Sequence, residues 1–478
     1  MESRADRGAA FNSGFLLLLS GTLQEKCIHF QGGEASLFEF FMHTHDIGDF
    51  DISLKEISKI EGHASLDIKI RKNRIEDLKF SITEWKRFYT QAIRGKPVTA
   101  VPQMVDRICG TCSNAHLLCC IEAIEKGLNI MPSSQTMLLR RLLYYGLIIR
   151  DHALHLYIFA LPDVYGKSSI LDFDENDPMQ HELLHDTFAV KEVGNRLSIV
   201  VGGRAVHAPY PAVGGFLKLP ALEDVKALKP KLLEIRPKIL KLIKIFAEMP
   251  FELALKAPLT FSGLVSEDFS FLEGLIQTSA GDVVEEKDLG QHLDAVIIPY
   301  SHARGFKFDG SLLMVGALAR LHVSKFKLHP NTLKSIRDYL GIFPSNNIYH
   351  NNLAQAIEIL HAIDASMELI DKLEAVKPER PAPIKPRKST GIGVIEAPRG
   401  TLYYRLDITS EGKIKEGEII VPTGQNQIAM ERGIYELVEN LLEKGTHREE
   451  IVYEVEKLIR AFDPCMSCAA HFLRVNWQ

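Results

Sequence analysis

Apolar residues recur with two different periods along this chain. Near its beginning, residues such as Leu66 and Ile68 alternate with polar neighbours, which predicts a strand within residues 52–70. Polar residues at 71–73 predict a turn, and residues 75–82 alternate again. We therefore expect a β-hairpin in this region.

Helical periodicity dominates the middle of the chain. Apolar residues at i, i+3 and i+4 predict long helices over residues 134–161, 222–254 and 352–376, the first ending before Pro162. The first is apolar almost all round, which is typical of a helix inside a bundle. The lysines at 226–244 indicate a solvated helix face.

The C-terminal part of the chain mixes both periods. The proline-rich segment 378–386 predicts an extended connector. Residues 391–408 and 419–422 predict short strands, and residues 428–461 predict helix with a break at Gly445. The expected fold is mainly α with small β elements (α+β), a bundle of long helices with peripheral sheets.

Composition narrows the class of protein. The chain has 478 residues, is 46% hydrophobic and has a formal net charge of −5, which is ordinary for a globular protein and does not favour nucleic-acid binding. Its longest apolar runs fall short of the roughly 18 residues that a membrane span needs. We expect no transmembrane segment.

The two ends of the chain differ from the rest. Residues 1–41 show no clear period and no helix caps, so they are interpreted as an N-terminal extension that is absent from the mature protein. Residues 42–471 are interpreted as a single domain, and residues 472–478 as a short C-terminal tail.

Seven cysteines carry the most specific signal. An odd number in a long chain argues against a disulfide framework. Four of them form two Cys-x-x-Cys pairs at opposite ends of the chain, namely Cys109 with Cys112 and Cys465 with Cys468. The other three are too few for a four-thiolate cluster: Cys27, Cys119 and Cys120. A structural zinc site is one interpretation, although zinc ribbons usually separate their pairs by roughly 15–20 residues. Adjacent Cys119 and Cys120 are expected to be buried and inert.

The residues around both pairs resemble the signatures of one family. Arg107-Ile-Cys-Gly-Thr-Cys-Ser-Asn-Ala-His116 resembles the N-terminal signature of nickel–iron hydrogenase large subunits, and Asp463-Pro-Cys-Met-Ser-Cys-Ala-Ala-His471 resembles the C-terminal one. Further matches are Glu61-Gly-His63, Glu396-Ala-Pro-Arg-Gly400 and Val421-Pro-Thr423. Stretches such as Ala153-Leu-His-Leu-Tyr157 and Asn351-Asn-Leu-Ala-Gln355 are most similar to the cytoplasmic, multi-subunit sulfhydrogenase type.

The resemblance implies a binuclear metal centre. Cys109 and Cys465 would be terminal nickel ligands, while Cys112 and Cys468 would bridge nickel to an iron that carries carbon monoxide and cyanide. Soft thiolates suit nickel. The implied reaction is the reversible, heterolytic cleavage of H₂ to protons and electrons.

Four charged residues match the family's proton and substrate machinery. Glu61 matches the glutamate that takes the proton from a terminal cysteine sulfur. Arg399 matches the arginine held over the open metal position, and Asp151 and Asp463 match the carboxylates that hold it. Without the motifs, Glu61 would be read as a surface carboxylate and Arg399 as a salt-bridge former.

Other matches lie around the implied iron. His116 would hydrogen-bond a bridging cysteine sulfur. Thr423 matches the residue that hydrogen-bonds an iron cyanide, and Pro398 would line the same pocket. His152 and His155 are interpreted as core histidines rather than ligands.

The resemblance also implies a divalent ion, magnesium or a similar one, near the C-terminus. His471 and the Ile419 carbonyl would bind it, but Thr90 stands where the family usually has a glutamate ligand. We expect a maturation protease to cleave after His471, although the tail at 472–478 is short enough to remain as a packed end.

The remaining cysteines are too few for an iron–sulfur cluster within this chain. The electrons must therefore leave through a partner subunit. The implied partners are an iron–sulfur small subunit and further electron-transfer subunits, in a cytoplasmic complex that partner subunits could attach to a membrane. Two alternatives stay open: a structural subunit with the hydrogenase fold, and a zinc-stabilised binding protein. Metal content separates all three.

Overall fold

Helices and strands are mixed along the part of the chain that the structure, a computed structural model, describes, namely residues 48–470. The predicted extension at 1–41 with Cys27, and His471 with the tail at 472–478, lie outside the described residues. The predicted α+β class is confirmed.

Helices make up most of the regular structure. In the described residues they are α1 (Tyr89–Ala92), α2 (Val101–Val105), α3 (Ser113–Leu128), α4 (Ser134–Ala153), α5 (Leu161–Val164), α6 (Pro178–Gly202), α7 (Leu222–Lys226), α8 (Leu228–Glu248), α9 (Leu289–His292), α10 (Ala317–Ser324), α11 (Pro330–Ser335), α12 (His350–Lys372), α13 (Pro422–Glu443), α14 (Arg448–Ala461) and α15 (Met466–Ala469).

The strands form four sheets in the described residues. They are β1 (Phe50–Leu54), β2 (Ala64–Arg71), β3 (Arg74–Ile82), β4 (Pro211–Ala212), β5 (Gly215–Phe216), β6 (Leu259–Val265), β7 (Leu275–Thr278), β8 (Val283–Val284), β9 (Leu293–Ile297), β10 (Arg304–Phe308), β11 (Ser311–Met314), β12 (Ser389–Ala397), β13 (Gly400–Ile408) and β14 (Ile414–Ile420). Their orders are β1-β2-β3, β4-β5, β8-β7-β6-β11-β10-β9 and β12-β13-β14.

The predicted hairpin near the start of the chain is confirmed. β2 and β3 pair antiparallel around a turn at Lys72 and Asn73, which both have positive φ. The alternating residues of β2 are buried on one face. The predicted strand at 52–70 is, however, two strands, because residues 55–63 leave the sheet and carry Glu61 toward the cysteines.

The long helix predicted over 134–161 changes its winding instead of ending at Pro162. Ser133 caps α4 by accepting a hydrogen bond from the backbone N–H of Thr136, and a π-helical turn at Leu154–Ala160 then leads into α5. Pro162 occupies the first turn of α5, where a missing N–H costs no helical hydrogen bond. The prediction of a stop there was wrong for this reason.

The predicted helix at 222–254 is divided between α7 and α8 and ends earlier, at Glu248. Pro237 lies inside α8 without ending it. Residues such as Leu232, Ile235 and Ile239 are buried along one face, and the lysines lie on the other side or at its edge. Lys226, Lys231 and Lys244 are exposed, as predicted for a solvated face, but Lys238 and Lys241 pair with the buried carboxylate of Asp186 in α6.

Helix α3 lies directly against strand β12, and glycines make the close approach possible. A Cβ added at Gly391 would lie 1.8 Å from the carbonyl oxygen of Ala123, and one added at Gly393 would lie 2.4 Å from that of Cys119. Only glycine fits at such a distance. This packing sets the distance between α3, which begins at the cysteine loop, and the C-terminal sheet.

Helices α4 and α6 are packed closely in the same way. A Cβ on Gly194 would lie 2.6 Å from the backbone nitrogen of Arg150, and one on Gly146 would lie 2.6 Å from Ser198 Oγ. Helix α12, which is buried from Asn351 to Ser366, packs beside α4 and α8, which gives the predicted bundle of long helices.

The C-terminal elements follow the prediction with shifted bounds. Residues 373–388 form neither helix nor strand and include the predicted proline-rich connector at 378–386. The predicted strand at 391–408 is a hairpin, since β12 and β13 pair around residues 398–399. Helix α13 begins at Pro422 rather than at 428, and the predicted break at Gly445 separates α13 from α14.

Two large features were not predicted: the 25-residue helix α6 and the six-stranded sheet. Most strands of that sheet have only two to five residues, too few for an alternating pattern to stand out. Between residues 48 and 470, no helix is long and apolar enough to cross a membrane.

Candidate metal centre

Four cysteine sulfurs from both ends of the chain meet in one buried cluster. The Sγ atoms of Cys109 and Cys465 are 3.2 Å apart, and those of Cys112 and Cys468 are 3.0 Å apart. Cys465 and Cys468 are also 3.0 Å apart, and all four residues are at most 4% exposed. Two Cys-x-x-Cys loops therefore face each other, first cysteine to first and second to second.

Backbone contacts hold the two loops together. Glu61 and Cys465 form a parallel bridge, in which the N–H of Met466 donates to the Glu61 carbonyl at 3.0 Å. Arg87 donates from Nη2 to the carbonyls of Ile108 (2.7 Å) and Ser467 (3.3 Å), one on each loop. Arg87 was not predicted to matter, because its partners are backbone atoms that no motif reveals.

Glu61 touches the cluster directly. Its Oε2 lies 3.0 Å from Cys465 Sγ and accepts a hydrogen bond from the Ser467 backbone N–H at 3.1 Å. Burial, together with the negative charge of Cys109, raises the pKa of Glu61. The carboxyl is thus placed to exchange a proton with that sulfur.

Arg399 projects from the tip of the β12–β13 hairpin. Its Nη1 donates to Asp151 Oδ2 at 2.7 Å and its Nη2 to Asp463 Oδ1 at 3.0 Å, and all three side chains are buried. Burial works against its charge, but the two carboxylates outweigh burial and raise the pKa of Arg399 well above its ordinary value. The structure therefore brings Arg399, Asp151 and Asp463 together, as predicted.

A second, wholly buried arginine supports that hairpin tip. Arg320 donates to the carboxylates of Glu358 and Glu396 at 2.6–2.7 Å. It also donates to the carbonyls of Ala397 (3.1 Å) and Pro398 (3.0 Å), next to Arg399. Three of these partners belong to the Glu396–Gly400 motif, but Arg320 and Glu358 lie in no motif, so the support could not be found from the sequence.

His116, in helix α3, contacts one of the cluster sulfurs. Its Nε2 is 3.4 Å from Cys468 Sγ, and its Nδ1 is 2.8 Å from the hydroxyl of Tyr404 in β13. The predicted contact with a cysteine sulfur is present in the structure, and Tyr404 is a partner that the motifs did not indicate.

Thr423 and Pro398 border the cluster. Thr423 Oγ1 accepts a hydrogen bond from the Cys465 backbone N–H at 2.8 Å, so its own hydroxyl proton can be donated elsewhere. Pro398 lines a small enclosed cavity between the sulfurs and the hairpin, together with Cys112, His116, Ala397, Arg399, Leu402, Pro422, Cys465 and Cys468.

The two histidines of the first long helix are buried among protein groups. His152 Nε2 lies 2.8 Å from Glu358, and His155 contacts Gln355 at 2.6 Å and the Arg460 carbonyl at 2.8 Å. These contacts agree with their interpretation as core histidines. Gln355 also donates to Asp463 at 2.8 Å, so this core region supports the site.

The predicted C-terminal ion site is only partly within the described residues. Ile419 is buried in β14, opposite Tyr404 of β13. Thr90 is half-buried in the short helix α1. His471 lies outside the described residues.

The donor set fits a thiophilic metal centre with further, non-protein ligands. Burial raises the pKa of Cys465 and Cys468, while hydrogen bonds from the neighbouring thiols lower that of Cys109. Bound cations are what turn such thiols into thiolates. Several buried polar atoms nearby have no hydrogen-bond partner among the described residues, namely Arg150 Nε and Nη2, Arg399 Nε and Asp151 Oδ1. A closed tetrathiolate zinc site would not require them.

The other described cysteines lie apart from this cluster. Cys119 and Cys120 are fully buried in α3, where burial raises the pKa of both thiols. Their predicted burial is confirmed.

Comparisons with known proteins agree with this site. Residues 87–183 and 276–471 match the family model described as nickel-dependent hydrogenase. The chain is 31% identical over 428 residues to sulfhydrogenase 2 subunit alpha of Pyrococcus furiosus, covering 89% of this chain and 100% of that protein. It is 29% identical over 427 residues to sulfhydrogenase 1 subunit alpha of the same organism, covering 89% and 98%.

Solved structures show the same fold. An NAD⁺-reducing [NiFe]-hydrogenase in the H₂-reduced state matches with a TM-score of 0.77 at 23% identity, covering 88% of this chain and 99% of that one. The Ni-Fe-Se hydrogenase of D. vulgaris Hildenborough matches with a TM-score of 0.71 at 20% identity, covering 89% and 100%. With the family model matching both cysteine loops, this chain belongs to the nickel-dependent hydrogenase family.

Proposed function

We propose that this hydrogenase large subunit binds H₂ at a binuclear nickel–iron centre, cleaves it reversibly and heterolytically, and passes the electrons to an iron–sulfur small subunit. One observation carries the proposal: four buried sulfurs converge between a carboxyl group and a guanidinium. Glu61 lies 3.0 Å from Cys465 Sγ, and Arg399 is held by two carboxylates near the same sulfurs.

The cysteines divide into two roles in this proposal. Cys109 and Cys465 would hold nickel as terminal ligands, and Cys112 and Cys468 would be shared by nickel and iron. The facing of Cys109 with Cys465 and of Cys112 with Cys468 supports this division. When bound, the metal pair supplies the electron acceptor for the bond that breaks in H₂.

Glu61 moves the proton. Its carboxyl takes the proton from the Cys465 sulfur in H₂ oxidation and returns it in H₂ production. A raised pKa suits both directions, because a carboxyl that titrates closer to neutrality can hold and release a proton.

Arg399 orients and polarises H₂ from above the sulfurs. A guanidinium keeps its protons, so it acts through charge and hydrogen bonding rather than as an acid. Asp151 and Asp463 hold the group in position. They also offset its charge in a buried site.

The iron carries carbon monoxide and cyanide in this proposal. Thr423 donates its hydroxyl proton to a cyanide, and Pro398 forms part of the apolar wall against the diatomic ligands. The support is that the Thr423 oxygen already accepts the Cys465 N–H, leaving the proton free to donate. An anionic ligand buried in such a cavity needs donors.

The partners and the compartment are the next part of the proposal. Two relatives are alpha subunits of sulfhydrogenases by name, which supports an iron–sulfur small subunit and further electron-transfer subunits as partners here. We place the complex in the cytoplasm, with any membrane attachment through its partners.

Maturation is the remaining part of the proposal. The domain at 42–471 binds a magnesium or similar ion through His471 and the Ile419 carbonyl, with water in place of the ligand that Thr90 cannot supply well. A protease removes residues 472–478, and the extension at 1–41 is absent. The intact mass of the native protein tests both proposed removals. A mass that includes residues 1–41 or residues 472–478 would contradict the corresponding removal.

Metal analysis and infrared spectroscopy of protein matured in its native host test the central proposal. We expect nickel and iron in equal amounts, with carbonyl and cyanide stretching bands. Cys465→Ser should abolish the bands, whereas Cys119→Ser, at an equally buried cysteine outside the cluster, should keep them. Zinc without such bands would overturn the proposal.

A further inference from the structure

His116 is hydrogen-bonded at both ring nitrogens, and the two partners differ in what they can do. Nε2 faces Cys468 Sγ at 3.4 Å, and Nδ1 faces the Tyr404 hydroxyl at 2.8 Å. A neutral imidazole carries one proton, so only one of its nitrogens donates. The residue at Nδ1 therefore determines what His116 offers to the sulfur.

The hydroxyl of Tyr404 can donate one hydrogen bond, and the described residues offer it one acceptor. Its side chain is fully buried, and among residues 48–470 its hydroxyl has His116 Nδ1 as its hydrogen-bond partner. Burial raises the pKa of Tyr404 well above its ordinary value, so the phenol keeps its proton. If the phenol accepted instead, its proton would be left without an acceptor, and the Nε2 lone pair would face the sulfur.

We propose that Tyr404 is a positioning residue: it donates to His116 Nδ1, fixes the tautomer with the proton on Nε2, and so aims an N–H at the Cys468 sulfur. The inference rests on the proposed role of Cys468 as a metal ligand, because a metal-bound thiolate is an acceptor with no proton of its own.

The fold holds this dyad rigidly. Tyr404 lies in β13, the central strand of its sheet, paired with Gly393 on one side and Ile419 on the other. His116 lies in the first turns of α3, which Gly391 and Gly393 allow to pack directly on β12. The rings meet edge to face, with centroids 6.0 Å apart and planes at 69°. Neither side chain can turn away without disturbing the helix–sheet contact.

The hydrogen bond from His116 to Cys468 would change the electron density at the metals. An N–H···S hydrogen bond draws electron density from a thiolate, so less reaches the metals. Removing the Tyr404 hydroxyl takes away the donor to Nδ1, so the imidazole is less polarised, its Nε2–H is held less firmly on Cys468, and part of that density returns. The stretching band of an iron-bound carbon monoxide reports such a change directly.

The test compares infrared spectra of Tyr404→Phe and Tyr403→Phe with the wild type, in enzyme matured in its native host. Tyr403 is the matched control: it is the next residue in β13, equally buried, and its side chain lies on the opposite face. We expect the carbonyl band of Tyr404→Phe to move to lower wavenumber by several times the measurement error, and that of Tyr403→Phe to stay in place.

Each result decides one question. Carbonyl bands in the wild type that do not move in Tyr404→Phe overturn the inference and leave the proposed function standing; a wild type without such bands removes the proposed function itself. If Tyr404→Phe fails to mature, 3-fluorotyrosine at position 404 keeps the shape and donates more strongly. The band should then move to higher wavenumber, and an unmoved band overturns the inference.

Discussion

The carboxyl group of Glu61 is held against the cysteine cluster by several contacts. It is held by a backbone N–H of the C-terminal cysteine loop and touches a sulfur of the same loop. Its own backbone carbonyl is bonded to that loop as well. The distance between carboxyl and sulfur is therefore set by three contacts rather than by the side chain alone.

Glu61→Gln should separate proton transfer from assembly of the centre. Glutamine is the same size and can keep the Ser467 contact, but it cannot carry a proton to and from Cys465. We expect H₂ oxidation to fall at least about 100-fold, with metal content and infrared bands retained.

Glu84→Gln is the control for this prediction. Glu84 lies nearby and accepts the His63 N–H at 3.1 Å, but it makes no contact with a sulfur. Its substitution should leave activity close to that of the wild type. A Glu61→Gln enzyme of nearly full activity would contradict the proposed relay.

At the scale of secondary structure, the β12–β13 hairpin and helix α3 place most of the site. The hairpin brings Arg399 over the sulfurs, and α3 begins at Cys112 and carries His116. Arg320 holds the hairpin by hydrogen bonds, and the glycines of β12 allow α3 to pack closely against it.

Arg320→Met should destabilise the protein strongly. The substitution leaves Glu358 and Glu396 buried without their cation, which typically costs about 3–5 kcal/mol. We expect a clear fall in the apparent melting temperature, measured by circular dichroism on the metal-free chain.

The matched control for Arg320 is Arg405→Met in the same hairpin. Arg405 is exposed and pairs with Asp407 at 3.2 Å, a kind of contact worth about 0–1 kcal/mol. Equal effects of the two substitutions would show that the buried network does not support the hairpin.

Gly391→Ala tests the contact between α3 and β12. The new Cβ would lie 1.8 Å from a backbone oxygen of α3, so helix and strand must separate, at a typical cost of about 1–3 kcal/mol or more. We expect a lower melting temperature and weaker metal incorporation. Gly341→Ala, where a Cβ meets no atom within 4 Å, should be neutral; similar behaviour of both variants would refute the close-packing argument.

At the scale of the whole molecule, burial of titratable groups links stability to pH. His361 in α12 is buried; its Nδ1 accepts the His329 N–H and its Nε2 contacts the Phe269 carbonyl, both at 3.0 Å. Burial, with the nearby charge of His329, lowers the pKa of His361 to about 4.

The sign of the resulting pH dependence follows from proton uptake. Between pH about 6.5 and about 4 the unfolded chain binds a proton at this histidine and the folded chain does not, so stability falls as pH decreases through this window, by up to about 3 kcal/mol. His361→Gln should show a smaller loss of melting temperature between pH 7 and pH 5 than the wild type does. Exposed His447→Gln should match the wild type; an unchanged dependence in His361→Gln would contradict this assignment.

The sequence by itself determined the chemistry of the site and its long elements. Motifs are local properties, so the residues around both Cys-x-x-Cys pairs, together with Glu61, Arg399 and Asp463, showed a resemblance to nickel–iron hydrogenases, and that resemblance implied the metal centre. Long helices and the first hairpin were predicted because their periods persist over many residues. Bounds shifted where a proline was accommodated in a first turn, as at Pro162 and Pro422.

Only the tertiary structure decided which groups hold that chemistry in place. Arg87, Arg320 and Tyr404 act through backbone carbonyls or through one ring nitrogen, and their partners are distant in sequence. No local pattern encodes such contacts, because they arise when separate helices and strands pack together. The short strands of the six-stranded sheet were missed for the same reason: their pairing, rather than their own sequence, stabilises them.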